Sequence, residues 1–218
     1  MKLSVIIPVY NEKDSVEKII NIVKAVPVEK EIIVVDDFSG DGTRDKLATI
    51  SDIKLVLHEK NKGKGSAIRS GIKYAQNDIV IIQDADLEYD PNDYPKLLSA
   101  FTSDQIGAVF GSRFKGKSRF LLLSKLANYF LTGLTNLMYA GHISDMETCY
   151  KMVRRDILLS LNLTACRFEI EPEITCKLLR KKIRINEVPI DYFARTEGKK
   201  IGPKDAIIAI KEIFKWRF

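Results

Sequence analysis

The sequence predicts an α/β fold in which a mostly parallel central sheet is flanked by helices. Short apolar runs rich in β-branched residues alternate with stretches of helical periodicity up to Gly111. The apolar runs lack the polar alternation of a strand with one face in water, so helices are expected to cover both faces of the sheet. With 218 residues and 45% hydrophobic content, residues 1–218 are expected to form a single domain around one sizeable core.

Five strands and four helices account for this alternation. The strands are predicted at residues 3–8, 31–36, 54–58, 79–83 and 108–111. The helices are predicted at about 12–26, 42–50, 64–75 and 91–101. In open sheets of this kind ligands bind beyond the carboxyl ends of the strands, and that edge is therefore the predicted site.

After Gly111 the alternation stops. Residues 118–143 form an apolar stretch with polar residues at roughly helical spacing, namely Lys125, Asn128, Thr132, Thr135 and Asn136. A strand over 149–155, a helix over 171–180, a strand over 183–193 and a final helix from about residue 203 are predicted to follow. These elements are expected to add to the same domain.

Residues 118–143 are long enough to cross a membrane, since a span needs about 20 apolar residues. However, the polar residues interrupt the stretch, and a single crossing would place Asp84 and Asp145 on opposite sides of the bilayer. The favoured prediction is an amphipathic helix lying in the membrane plane, with a candidate break at Gly133. A pair of buried core helices is the alternative.

Net charge and cysteine usage limit the partners and the compartment. A net charge of +6 and a pI near 9.1 favour anionic partners such as phosphates, nucleic acid or an anionic membrane surface. No aromatic-rich platform for single strands is visible, so nucleic acid is not expected. Three cysteines without a CxxC pair suggest neither a disulfide framework nor a zinc cluster, which favours the reducing cytoplasm, with the cysteines in the core.

Two pairs of carboxylates follow predicted strands. Asp84 and Asp86 lie two residues apart, so on an extended segment both side chains point the same way. Such a pair suits Mg²⁺ or Mn²⁺, which takes a few protein oxygens and completes its shell with water and a diphosphate. A solvated turn is the alternative. Of Asp36 and Asp37, one is expected to cap the next helix and the other to accept hydrogen bonds from a nucleoside.

The glycine-rich segment "NKGKGSAIRSG" matches no established phosphate-loop motif. A GxGxxG motif would need glycine where Ile68 stands, and GxxxxGK[ST] is absent. The segment is predicted to be a basic turn that opens a helix. Lys62, Lys64 and the amino end of that helix are candidates for contact with an anion.

Several motifs together resemble family 2 glycosyltransferases of the Rossmann-like GT-A fold. They are "SVIIPVYNE", "VVDDFSGDGT", "NKGKGSAIRSG", "QDADLEYDP", "FGSR", "SDMETCYKMVRRDIL" and "VPIDYFARTEGKKIGPKDAI". The nearest branch is similar to the dolichol-phosphate or polyprenyl-phosphate mannosyl- and glucosyltransferases. The resemblance implies inverting, metal-dependent transfer of a hexose from a GDP-mannose or UDP-glucose type donor to a polyprenyl phosphate at the cytoplasmic membrane face.

The resemblance also implies roles for individual residues. It places the nucleotide sugar at Pro8, Tyr10, Glu12, Asp36, Asp37, Asp84, Ala85 and Asp86, to which the anion argument adds Lys64. It places the metal at Asp84 and Asp86, with Glu88 as a third contact. It assigns the acceptor phosphate to Arg113, Arg195, Lys199 and Lys200, and catalysis to Asp145, Arg113 and Arg195. In "SDMETCYK", Glu147 and Lys151 replace the usual neutral residue and arginine of the mannosyltransferases.

The acceptor class stays open at this point. A phosphate monoester has its second pKa near about 6 and attacks without a strong protein base. A hydroxyl of a glycan or glycolipid would need a general base, for which Asp145 and Glu147 are the candidates. A non-catalytic nucleotide-binding module and a nucleotidyltransferase are further alternatives. The protein is expected to be peripheral, to use a membrane anchor partner, or to be part of a longer chain.

Overall fold

The structure is a computed structural model that describes residues 1–194 and 203–217, with side chains described outside 203–205. Arg195, Lys199 and Lys200 therefore lie outside the described residues. The predicted α/β class is confirmed: a mostly parallel sheet carries helices on both faces.

The sheet contains seven strands, and two further short strands pair with each other. The strands are β1 Leu3–Val9, β2 Lys30–Asp36, β3 Lys54–Leu57, β4 Ile79–Ile82, β5 Ile106–Ser112, β6 Ser118–Arg119, β7 Lys151–Arg154, β8 Arg184–Pro189 and β9 Tyr192–Phe193. The main sheet has the order β3-β2-β1-β4-β7-β5-β8, and β6 pairs with β9. Only β7 runs antiparallel to its neighbours in that sheet. The predicted strand over 183–193 is thus divided between β8 and β9.

Eight α-helices connect these strands in the described part of the chain. They are α1 Val16–Ala25, α2 Thr43–Ala48, α3 Lys64–Ile72, α4 Tyr94–Ser99, α5 Leu122–Tyr139, α6 Arg155–Ser160, α7 Ile170–Arg180 and α8 Pro203–Lys215. A short 3-10 turn, Pro91–Asp93, precedes α4. The sequence patterns did not predict α6.

The strand register brings the predicted site together. In β1 and β2, Val9 lies opposite Asp36, and in β1 and β4, Ile6 lies opposite Ile82. The carboxyl ends of these three parallel strands therefore meet at one edge. The strands are buried on both faces, and each fully buried aliphatic side chain stabilises the sheet by about 1.5–3 kcal/mol. Helix α3 lies so close to β1 that a Cβ on Gly71 would stand 2.5 Å from Ile6 Cγ2.

Helix α5 is continuous through Gly133, so the candidate break there does not occur. Two of its polar residues face the protein: Thr135 is fully buried and Thr132 is 5% exposed, whereas Lys125 is exposed. Many of its apolar residues face outward, and Leu122, Leu123, Leu126, Phe130 and Leu137 are each more than half exposed. The alternative of buried core helices is therefore wrong for this face. Among the described residues, no helix is both long and apolar enough to cross a bilayer.

The inward polar residues of α5 have a structural task. The Asn136 amide donates to the carbonyl of Ile143 at 2.7 Å and accepts from its N–H at 3.1 Å. The N–H of Met146 donates to Thr132 Oγ1 at 3.1 Å. The polar stripe therefore holds the segment on both sides of Asp145. A second hydrophobic cluster joins α5, α7 and α8 beside it, around Leu131, Met146, Cys176 and Ile213.

Candidate active site

A cleft of about 820 Å³ opens beyond the carboxyl ends of β1, β2, β4 and β5. Ten predicted site residues line it: Pro8, Tyr10, Glu12, Asp37, Lys64, Asp84, Ala85, Asp86, Glu88 and Arg113. Asp36 and Asp145 are not among the lining residues. The far wall is formed by α5, which contributes Leu123, Ser124, Ala127, Asn128 and Leu131.

Asp37 is held rigidly at the end of β2. Its carboxylate lies 2.7 Å from His58 Nδ1 and accepts hydrogen bonds from the N–H groups of Lys62 at 2.8 Å and Gly63 at 2.7 Å. His58 Nε2 lies 2.9 Å from Ser70 Oγ, so this histidine links Asp37 to α3. The carboxylate of Asp37 thus fixes the turn that precedes α3, beside the cleft.

Asp36 faces away from the cleft. It is fully buried and accepts from the N–H groups of Phe38 and Ser39, each at 3.1 Å, and from Arg44 Nε at 2.5 Å. The expected helix cap is wrong for both residues, because α2 has Gly42 at its N-cap and no side-chain cap bond. Asp41 instead accepts from the N–H of Thr43 at 3.0 Å.

Asp84 and Asp86 line the cleft immediately after β4. Lys64 Nζ lies 2.7 Å from Asp84 Oδ1, and Asp86 Oδ1 accepts from the N–H of Glu88 at 3.1 Å. Glu88, the third predicted metal contact, accepts from the hydroxyl of Tyr192 at 2.6 Å. Within the described ranges, no three His, Cys, Asp or Glu side chains are arranged as a metal-binding group. Two adjacent carboxylates nevertheless suit a hard divalent cation that completes its shell with diphosphate and water oxygens.

Lys64 is the central cation of the cleft. Burial lowers its pKa, but Asp84 and then Glu171, whose Oε1 lies 3.3 Å away, favour the charged amine, and the pKa is raised well above its ordinary value. Lys64 is therefore charged at neutral pH. The positive charge of the Lys64 amine and the negative charge of Asp84 therefore neutralise each other at the position where the sequence predicts a metal.

Arg113 and Asp145 form a buried bidentate ion pair. Arg113 Nε lies 2.7 Å from Asp145 Oδ2, Nη2 lies 2.7 Å from Oδ1, and the Arg113 N–H donates to Oδ2 at 3.0 Å. The guanidinium also lies 5.1 Å from the ring centre of Tyr192 and 5.4 Å from that of Phe120. Arg113 faces the cleft while Asp145, which is fully buried, holds it in place from behind.

Glu147 also lines the cleft. Its Oε1 atom is buried and has no hydrogen-bond partner among the described residues. Burial is the main reason why its pKa is raised to about 7; Lys151 opposes the shift and Glu171 adds to it. Glu147 is therefore a lining carboxyl for which the structure supports a proton-transfer role near neutral pH.

The segment before α7 also reaches the cleft, which the sequence patterns did not predict. Arg167, Phe168 and Glu169 of this segment line the cleft, as do Glu171 in the first turn of α7 and Cys149. The segment is pressed against the start of α3, where a Cβ on Gly63, whose φ is +91°, would stand 2.4 Å from the carbonyl of Cys166. Gly63 and Gly65 were the signal in the sequence for this close approach, because a side chain at either position would collide with residues 165–167. Cys166 itself is exposed, so the expectation of a core cysteine is wrong for it.

Residues 4–161 match the family described as Glycosyl transferase family 2. A dolichol-phosphate mannosyltransferase of Pyrococcus furiosus is 30% identical over 99% of this chain, and this chain spans 63% of that relative, less than two thirds of its length. A UDP-N-acetylglucosamine–dolichyl-phosphate N-acetylglucosaminyltransferase of Methanococcus voltae is 29% identical over 85% of this chain and 83% of that protein.

Solved structures support the same fold. Glucosyl-3-phosphoglycerate synthase from Mycobacterium tuberculosis in complex with UDP superposes with a TM-score of 0.75 at 22% identity, covering 99% of this chain and 80% of that one. Other structures of that enzyme contain UDP with Mn²⁺ or Mg²⁺. The match over most of the residues that build the sheet and the cleft decides the assignment: the chain belongs to glycosyl transferase family 2.

Proposed function

We propose that the protein transfers a hexose from a nucleotide sugar of the GDP-mannose or UDP-glucose type to a polyprenyl phosphate, with inversion and with a divalent cation, at the cytoplasmic membrane face. One observation carries the acceptor proposal. The wall of the cleft that carries Ser124, Ala127 and Asn128 belongs to α5, and the opposite side of this helix exposes large apolar side chains. A lipid in the membrane surface would thus lie beside the cleft that binds its phosphate.

The donor end of the cleft suits a nucleoside diphosphate. Pro8 is the penultimate residue of β1, Tyr10 and Glu12 follow this strand, and Asp37 follows β2. All four lie at the edge where open α/β sheets bind ligands. Two of the archaeal relatives carry names of enzymes that act with dolichyl phosphate, one of them with a UDP sugar. Those names support the donor and acceptor classes without choosing the base or the sugar.

The charges of the cleft support a requirement for Mg²⁺ or Mn²⁺. Among the described residues, eight acidic side chains line it: Glu12, Asp37, Asp84, Asp86, Glu88, Glu147, Glu169 and Glu171. Lys64, Arg113 and Arg167 are the basic ones. A diphosphate would be repelled by this excess, and a cation held by Asp84 and Asp86 would neutralise the leaving nucleoside diphosphate when bound. Glu88, with its bond to Tyr192, orients the loop that carries both aspartates.

Arg113 is the proposed contact for the acceptor phosphate, together with Arg195, Lys199 and Lys200. Its guanidinium is fixed by Asp145 on one side and by the rings of Phe120 and Tyr192 on others. A pre-positioned guanidinium binds a phosphate oxygen without losing much side-chain freedom. Asp145 is then a positioning residue, because both of its oxygens are occupied by Arg113.

Sugar transfer by the purified protein tests this proposal. The protein is incubated with Mn²⁺ or Mg²⁺, with GDP-mannose, UDP-glucose or UDP-N-acetylglucosamine, and with polyprenyl phosphate in detergent. Labelled sugar in a lipid-soluble product is the expected result. Hydrolysis of the donor without a lipid product would favour a hydroxyl acceptor. Failure to bind any donor would contradict the proposed reaction.

The exposed face of α5 gives a prediction about membrane contact. Leu126→Glu with Phe130→Glu is expected to weaken binding to anionic liposomes by at least about tenfold, because each buried apolar side chain contributes about 1.5–3 kcal/mol. Both residues are more than half exposed, so the melting temperature should not change. Leu134 is not replaced in this variant, because it packs against the second hydrophobic cluster. Sedimentation with liposomes measures the effect.

The matched control places two glutamates on exposed leucines elsewhere, at Leu57 and Leu159. The control carries the same change in net charge, so it should bind liposomes far better than the α5 variant. Equal loss of liposome binding in both variants would show that the added negative charge, and not the position on α5, causes the effect. Unimpaired binding of the α5 variant would contradict the proposed membrane face.

Transfer to a hydroxyl is the second candidate function, and Glu147 is the observation that favours it. A hydroxyl acceptor needs a base near the cleft, and Glu147 has an unpartnered oxygen, among the described residues, and a pKa of about 7. A polyprenyl phosphate would need no such base, since it is mostly dianionic above its own second pKa of about 6.

The pH dependence of Glu147→Gln separates the two acceptors. If Glu147 is the base, it must be deprotonated, so the rate rises as pH increases through about 7, and the glutamine variant loses that rise together with most of its activity. With a phosphate acceptor, the expected result is a rate that rises near the acceptor's pKa of about 6 in both proteins. Rates from pH 5 to 9 measure this. Loss of the rise in the variant would contradict the phosphate acceptor.

A further inference from the structure

Four charged side chains of alternating sign run from the cleft into the protein. Asp84 at the cleft contacts Lys64 at 2.7 Å, Lys64 lies 3.3 Å from Glu171 Oε1, and Glu171 Oε2 accepts from Lys151 Nζ at 2.7 Å. The side chains of Glu171 and Lys151 are 7% and 0% exposed. The row connects the predicted metal position to the interior between α7 and β7.

The two lysines of the row differ in how firmly they are held. Lys151 donates to the carbonyl of Thr148 as well as to Glu171, so its amine already has two hydrogen-bond acceptors. Lys64 bonds to both oxygens of Asp84 but only approaches Glu171. Glu171 Oε1 is buried and has no hydrogen-bond partner within the described part of the chain. Buried polar atoms are rarely left without a partner, so this oxygen needs an explanation.

We propose that Lys64 and a divalent cation compete for Asp84, and that Glu171 is a positioning residue whose Oε1 receives the Lys64 amine when the cation binds. The proposal rests on the proposed function, in which Asp84 and Asp86 hold the cation. In the cation-free protein, Lys64 neutralises Asp84. When the cation takes this carboxylate, the amine completes a hydrogen bond with Glu171.

Distance and charge make the exchange favourable. The amine already lies 3.3 Å from Glu171 Oε1, so a small rotation of a flexible side chain makes a full charge-assisted bond. Without that acceptor, the cation would leave a buried ammonium opposite another cation, which is costly in a poorly hydrated site. The exchange therefore makes cation affinity depend on Glu171 only when Lys64 is present.

Mn²⁺ binding to the nucleotide-free protein tests this dependence, by calorimetry or by the spin-resonance signal of free Mn²⁺. Lys64→Met is expected to bind Mn²⁺ about tenfold more tightly and Glu171→Gln about tenfold more weakly, effects typical of groups that contact metal ligands. The decisive result is the double variant. It should bind like Lys64→Met alone, because Glu171 acts only through the lysine.

Additive effects in the double variant would overturn the exchange, since simple attraction and repulsion of charges predict additivity. Lys60→Met is the matched control: it removes the same charge from an exposed residue in the segment before α3 and should leave Mn²⁺ affinity within about threefold of the wild type. If Glu171→Gln destabilises the protein by leaving Lys151 unpaired, the comparison is repeated with Lys151→Met in every variant.

The outcomes also separate this inference from the proposed function. Absence of Mn²⁺ binding with and without UDP or GDP in every variant would contradict the metal site and the exchange together. Mn²⁺ binding with additive effects would leave the metal site in place and contradict only the exchange. The exchange predicts that Lys64→Met binds Mn²⁺ more tightly than the wild type, and that adding Glu171→Gln to Lys64→Met causes no further change in affinity.

Discussion

Asp86→Asn is expected to lower sugar transfer by at least about 100-fold, more than is typical for residues that only support metal ligands. Asp86 lines the cleft beside Asp84, and the amide would replace a charged oxygen that holds the cation against the donor diphosphate. The loss should appear in the rate at saturating donor, and added Mn²⁺ should restore only part of it. Initial rates over a range of Mn²⁺ concentrations measure both effects.

Asp104→Asn is the control for this variant. Asp104 is fully exposed, pairs with Arg154 at 3.3 Å and does not line the cleft, so the same chemical change there should have little effect on transfer. Activity of Asp86→Asn at the wild-type level, with an unchanged metal requirement, would contradict the assignment of Asp86 to the cation.

Asp145→Asn is the second large effect that the structure predicts. It leaves the Arg113 guanidinium buried without its carboxylate, and breaking such a pair typically lowers the free energy of unfolding by about 3–5 kcal/mol. Transfer should fall as well, because the amide can keep only one of the two bonds that orient Arg113 towards the cleft. Urea denaturation measures the first effect, and acceptor-dependent rates measure the second.

The pH–rate profile decides whether Asp145 positions Arg113 or removes a proton. As a positioning residue, Asp145 should affect the KM for the phosphate acceptor at least as strongly as kcat, while the shape of the pH profile stays unchanged. Arg113→Met with Asp145→Asn should recover part of the stability without recovering transfer, since no buried charge then lacks a partner. An Asp145→Asn protein of normal stability that loses only its pH dependence would identify a base instead.

Much of the fold was predictable from the sequence because its strands are continuous apolar runs. The predicted strand at 79–83 corresponds to Ile79–Ile82, and the one at 31–36 to Lys30–Asp36. Local patterns were weaker at the ends of helices: α1 begins at Val16 rather than near residue 12, because the residues before it form a turn whose backbone N–H groups bond to the segment after β2. The N–H of Glu12, for example, donates to Thr43 Oγ1 at 3.1 Å.

The residues of the site were predictable to the extent that they follow strands. Pro8, Asp37 and Asp84 come together because parallel strands deliver their carboxyl ends to one edge. Which carboxylates face the cleft was not predictable. Asp36 and Asp37 are neighbours, yet alternation along an extended chain turns them to opposite sides, and Asp36 is committed to Arg44.

The sequence by itself determined the α/β class, the edge of the sheet that carries the site and the family to which the chain belongs. Each of these follows from local patterns: apolar runs, the residues that end them and motifs of fixed spacing. Only the tertiary structure decided that the two threonines of α5 face inward, that Asp145 holds Arg113, and that Glu147 and Glu171 reach the cleft. These features depend on contacts between residues far apart in the chain, where burial and charge pairing select partners that no local pattern contains.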